Sequence, residues 1–157
     1  MYSAVLVLHS LSRYAVLVLA LVVIARAAMG LRGQRPFEPT DRKLGGAFLG
    51  TVHLQVILGL LLNLGLSPIT KAAYSQMPAA MRDKTLRFWA VEHLTMGLLV
   101  ALIATITRVK SRKAESDPDK HRIALIGYSV TLLVILAMIP WPFRTVIGRG
   151  WLPSFGG

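Results

Sequence analysis

The chain has 157 residues, 54% of them hydrophobic, with a formal net charge of +11 and no cysteine. Its mean hydropathy is +0.58. The absence of thiols excludes disulfides, thiolate metal sites, iron–sulfur clusters and a covalently attached c-type haem, but leaves a noncovalent haem open.

The apolar residues come in blocks rather than at the amphipathic spacing of a soluble domain. A membrane span needs about 20 mostly apolar residues, and four segments qualify: 4–25, 45–66, 88–107 and 123–140. The first, within "AVLVLHSLSRYAVLVLALVVIAR" (4–26), carries His9, Ser10, Ser12 and Arg13 inside an otherwise apolar run. "ARAA" (25–28) has the small residues of a cleavage site, but no basic residue precedes the run. The expectation is therefore a retained first span rather than a signal peptide. "GLRGQRPFEPTDRKLGG" (30–46) reads as a loop punctuated by Gly and Pro.

The second span has no Lys, Arg, Asp or Glu and contains His53. Gly46 and Gly50, four apart, read as a helix-packing face. The connection "SPITKAAYSQMPAAMRDKTLRFW" (67–89) has room for a short interfacial helix, in which Met77 and Met81 read as packing residues. The third span contains Glu92, His93 and Gly97. "SRKAESDPDKHR" (111–122) is a second charged loop, and His121 reads as a solvated residue at its end. The fourth span is free of charge and stops at Pro140 and Pro142. Trp141, Phe143 and Trp151 then suit the headgroup level. Short connections make sequential helices antiparallel neighbours, so the predicted fold is all-α: one transmembrane domain over residues 1–157, an up-down-up-down four-helix bundle.

Charge supplies an orientation. Connections 26–43 and 108–122 hold eleven basic residues, while the opposite side holds six: Lys71, Arg82, Lys84, Arg87, Arg144 and Arg149. Basic short loops favour the cytoplasm, which predicts a multi-pass membrane protein with both termini on the non-cytoplasmic side. This placement reads the charge as topology and attraction to anionic headgroups, not as nucleic-acid binding.

Depth relates the polar residues of the spans. With a rise of about 1.5 Å per residue, His9 and His93 both fall roughly 7 Å outward of the midplane, and His53 roughly 4 Å to its other side. The first and third helices sit diagonally in the bundle, about 14 Å apart if neighbours are about 10 Å apart. Two imidazoles meeting across such a gap are the usual axial arrangement of a b-type haem. Gly97, one turn from His93, would let a ring approach the backbone. Arg144 and Arg149 would meet propionates. Arg13 is expected to pair with Glu92 across the bundle as a structural ion pair, or else to reach a ligand histidine or a cofactor carboxylate.

The strings "LHSLSRY" (8–14), "TVHLQVILGLLL" (51–62), "LRFWAVEH" (86–93) and "IPWPF" (139–143) resemble a family of short bacterial four-helix membrane proteins catalogued as cytochrome b or cytochrome-b-like. The resemblance covers nearly the whole chain. It implies that His9, His53 and His93 are the family's membrane histidines, accompanied by Arg13, Glu92 and Trp141-Pro142-Phe143.

The leading expectation is a b-type cytochrome-like protein, alone or as a subunit of a respiratory assembly, with haem b on His9 and His93. His53 is then a secondary cofactor candidate, for a quinone or proton step. A cofactor-free structural or assembly subunit is the alternative, its polar residues knitting helices together or docking a partner. A metal or proton transporter ranks third, because His53 lies too far along the bundle axis to share one metal shell with the other two histidines. No motif specifies a reaction.

Overall fold

The computed structural model describes residues 1–153. Helix α1 runs Tyr2–Arg32 and α2 Pro39–Leu61, the latter continuing through a π-turn at Leu62–Leu66. Three short helices follow: α3 (Pro68–Ser75), α4 (Met77–Ala80) and α5 (Lys84–Arg87). A second π-turn, Phe88–Glu92, leads into α6 (His93–Lys113), and α7 spans Asp117–Met138. The connection expected to hold one interfacial helix thus holds three. Four of these helical stretches are long and apolar enough to cross a membrane.

Local chemistry sets the boundaries. Pro39 opens α2 behind a reciprocal cap between Glu38 and Asp41. Ser116 caps α7 by accepting from the Asp119 amide at 3.2 Å. At the far end α7 stops before Pro140, which cannot continue the ladder.

α1 packs on α2 and α7, and α6 packs on α2 and α7. α1 and α6 are therefore diagonal, as are α2 and α7, which is the up-down-up-down square. The slightest of the four long seams is α2–α6. Buried positions recur at alternating steps of three and four: Val16, Ala20, Val23, Ala27 and Gly30 on α1, and His121, Ala124, Tyr128, Thr131 and Ile135 on α7. That spacing gives a straight seam of 3.5 residues per turn, the geometry of shallow left-handed helix packing. The α1 seam is built of small residues, while Val18, Leu21 and Met29 point outward. Small residues bring backbones close, which is what holds helices together where lipid is as apolar as leucine.

After α7 the chain turns back across the end of the bundle. The Arg149 amide donates to the Pro140 carbonyl at 2.9 Å, and Trp141 stacks with Phe143 at 6.1 Å. Residues 149–153 come to rest beside α1.

Candidate functional site

Each π-turn widens its helix by one residue at the end of the bundle that carries both termini, and Asn63 ties the two together. Buried in the first π-turn, Asn63 donates through Nδ2 to the Trp89 carbonyl at 2.8 Å. The Tyr74 hydroxyl bonds Asn63 Oδ1 and lies 3.1 Å from the Ala90 carbonyl, while Thr70 donates to the Asn63 carbonyl at 2.7 Å. These bonds satisfy carbonyls that the irregular turns would leave unpaired in an apolar medium. The result is a rigid rim.

Inside that rim is a cavity of about 330 Å³, lined by His9, Arg13, Gln55, Trp89, His93 and Gly97, with Arg149, Gly150, Leu152 and Pro153 of the returning tail. The size is that of a small-molecule site. Among the described residues its lining includes two arginines and two histidines but no carboxylate.

His9 and His93 meet across this cavity. Their ring centroids are 6.2 Å apart and their planes stand at 71°. His93 Nδ1 lies 3.2 Å from the Met138 carbonyl. A carbonyl only accepts, so in the neutral ring Nδ1 carries the proton and Nε2 keeps its lone pair. The rings of Phe88 and Trp89 each lie 5.5 Å from that of His93, and the guanidiniums of Arg144 and Arg149 cap them at 5.3 and 4.9 Å. His9 sits against Gly59, where a Cβ would come within 3.2 Å of Cε1. Gln55 holds the α1 backbone here, donating to the His9 carbonyl at 2.9 Å and bonding Ser12 through its Oε1. His9 Nδ1 is buried without a hydrogen-bond partner. At Gly97 no atom comes within 4 Å of where a Cβ would stand. No family model, curated protein or solved structure matches this chain. Geometry and chemistry alone carry the reading of the cavity.

Several residues lie elsewhere than expected. Arg13 and Glu92 do not pair. Glu92 takes Arg87 at 2.6 Å, on an exposed face, whereas Arg13 donates to the carbonyls of Gly150 (3.3 Å) and Trp151 (2.5 Å) and to the Tyr14 hydroxyl (3.0 Å). The tail supplies the oxygens that a carboxylate was expected to supply. Arg13 Nε remains buried and unpartnered.

His53 does not line the cavity. It is exposed on the α2–α6 seam, 3.2 Å from Thr105 Oγ1. The glycine that seats His9 is about 9 Å of helix rise further along α2. Arg144 is likewise outside the lining, donating to the carbonyls of Ala137 (3.1 Å) and Ile139 (3.3 Å). Among the described residues no three His, Cys, Asp or Glu side chains gather as a metal-binding group.

His121 is not solvated. It is 0% exposed, with Nε2 3.1 Å from the Arg35 carbonyl and its ring against Phe37 at 5.1 Å. Gly30 makes the room, since a Cβ there would lie 2.2 Å from the ring. Gly46 meets the end of the Arg108 side chain rather than the α6 backbone, and a Cβ at Gly50 would have no neighbour within 4 Å, so the pair does not bring two helix backbones together.

Sequence reasoning missed Gln55 and Asn63. Each is a lone amide in an apolar span, and an amide in lipid must find a partner. That was the available signal.

Proposed function

We propose that this protein is a small b-type cytochrome of a bacterial inner membrane, with both termini on the non-cytoplasmic side, holding one haem between His9 and His93. The observation that carries the reading is the meeting of those two imidazoles across a cavity. A metal bound by two imidazole nitrogens about 2 Å away on opposite sides needs ring centroids about 6 Å apart. The two rings stand at 6.2 Å.

The residues around them fit the same group. His93 is oriented by a backbone carbonyl acting on its second nitrogen, the usual device for setting a ligand's tautomer. Gly97 leaves the α6 wall open to a flat ring. The carboxylate-free lining, with Arg13 and Arg149 in it, suits a ligand that carries carboxylates. When bound, haem supplies one-electron exchange. His9 and His93 would hold the group, and Asn63, Tyr74 and the returning tail fix the walls around it. Partners would then be a quinone or other respiratory subunits.

A cofactor-free assembly subunit is the second reading, favoured by the Ser12–Gln55 and Asn63–Trp89 bonds, which join helices without any ligand. The visible spectrum of protein purified from haem-replete cells separates the two. The cytochrome reading expects a Soret band, a sharp α band on reduction and haem extractable by acid–acetone. His9→Ala or His93→Ala should abolish the low-spin spectrum, and His53→Ala should leave it intact. Colourless wild-type protein, or a spectrum that depends on His53 and not on His93, would overturn the reading.

A further inference from the structure

At the end of the bundle opposite the cavity, charges are sorted by side. Glu38 and Asp41 take Arg26 and Arg35, Asp117 takes Lys120, and Asp119 takes Arg122. These four acids belong to the α1–α2 connection and the starts of α2 and α7; the fifth at this end, Glu115, follows α6, is exposed and has no ion-pair partner among the described residues. The α2–α6 seam is different. Arg108, about 8 Å inside the end of α6, has no carboxylate within ion-pair distance among the described residues; Arg42 and Arg112 are cationic neighbours, and Arg108 also lines a small internal space with Arg26, Asp41 and Tyr128. Neither Arg42 nor Arg112 has an ion-pair partner among the described residues.

Arg108 is seated rather than trailing in solvent. Its Nη1 would lie 3.1 Å from a Cβ at Gly45 and its Nη2 3.2 Å from one at Gly46, so the guanidinium rests on bare α2 backbone. The Tyr128 hydroxyl reaches the same point, 3.0 Å from the Gly45 position. A Cβ at Gly46 would require the guanidinium to give by a few tenths of an ångström. Toward the membrane centre the same α2 face carries Gly50, with no atom within 4 Å, and then His53 bonded to Thr105. The seam thus presents one seated cation, Arg108, with the exposed Arg42 and Arg112 near it, and a shallow groove below, on the outside of a bundle whose neighbouring surfaces expose Leu54, Leu102 and Ile106.

We propose that the loop-bearing end of the α2–α6 seam binds the phosphodiester headgroup of an anionic phospholipid, with Arg108 as anchor and Arg42 and Arg112 beside it. A guanidinium donates two parallel hydrogen bonds to phosphate oxygens. Basic pockets between transmembrane helices are where anionic headgroups are held. The groove lies on the bilayer-facing side, which gives the acyl chains an apolar surface that a free ion would not use. The site is independent of the haem reading.

Native mass spectrometry and thermal unfolding in neutral detergent test it, with phosphatidylglycerol, phosphatidylcholine or inorganic phosphate as the added probe. Phosphatidylglycerol should be retained and should raise the unfolding temperature, and phosphatidylcholine should do neither. Each basic residue near a charged surface contributes about 1 kcal/mol, so Arg108→Gln should weaken phosphatidylglycerol binding at least about 5-fold. Arg122→Gln, on the other side of this end, should not change it. Equal binding of the two lipids, unchanged binding by Arg108→Gln, or equal stabilisation by inorganic phosphate would overturn the proposal. If Arg108→Gln does not fold, the Arg42→Gln/Arg112→Gln variant decides: weakened binding supports the site, and unchanged binding sinks it.

Discussion

At the end that carries both termini, two histidines face each other across about 330 Å³; at the loop-bearing end, His121 lines a space of about 20 Å³. The smaller space holds about one water, the larger a small organic molecule. The same residue type has been treated in opposite ways. His121 fills a notch cut by Gly30, with Phe37 over its ring and its Nε2 on the Arg35 carbonyl. Gln55 Nε2 lies 3.4 Å from His9 Nε2 and the Met138 carbonyl 3.2 Å from His93 Nδ1, but neither ring covers the other. Between the two ends lies a band that includes Val16, Ala20, Phe48, Val52, Val100 and Ala104, all at or below 4% exposure. Within that band Thr131 is fully buried, and its hydroxyl is satisfied within its own helix, donating to the Gly127 carbonyl at 2.8 Å.

The acidic centre of the loop end should show the largest stability effect. The Asp41 side chain, 4% exposed, holds both Arg26 (2.8 Å) and Arg35 (2.9 Å) and takes part in the cap of α2. Asp41→Ala leaves two half-buried guanidiniums without their shared acceptor, a loss of about 3 kcal/mol read as a lower unfolding temperature in detergent. The cavity and any spectrum it supports should be unchanged. A destabilisation no larger than that of an exposed pair would mean that this end is not locked as described.

A pair of glycine substitutions probes the contrast directly. Gly30→Leu must displace His121 and should cost about 1–3 kcal/mol, as overpacked interiors do. A Cβ at Gly97 meets no neighbour within 4 Å and the cavity lies beyond it, so stability of Gly97→Leu should hold or rise. The same change should lower the haem content of purified protein, because the new side chain takes up cavity space. Thermal unfolding with pigment content per protein measures both. Similar destabilisation by the two variants would erase the distinction between a filled end and a hollow one.

The smallest effect is expected at Glu92. Its ion pair with Arg87 is exposed at 46% and 36% of the two side chains, so Glu92→Gln should cost less than about 1 kcal/mol. A loss of several kcal/mol would restore the cross-bundle pairing with Arg13.

Counting along the chain was enough for the spans and for the common level of His9 and His93. Hydropathy over twenty residues and a rise of 1.5 Å per residue are local quantities, independent of what a helix touches. Which face of each helix turns inward was not legible. Beyond Arg13 the first span is apolar all round, and its buried side is marked by Val, Ala and Gly rather than Leu, because lipid accepts Leu as readily as a protein core does. The partners of Arg13 and His121 were illegible for a different reason. Arg13 is satisfied by carbonyls of Gly150 and Trp151, and His121 by a glycine on α1 and the Arg35 carbonyl. Backbone oxygens and missing side chains leave no mark that a residue-by-residue reading can match to a charge or a ring. Only the return of the tail and the packing of α7 on α1 bring them within reach.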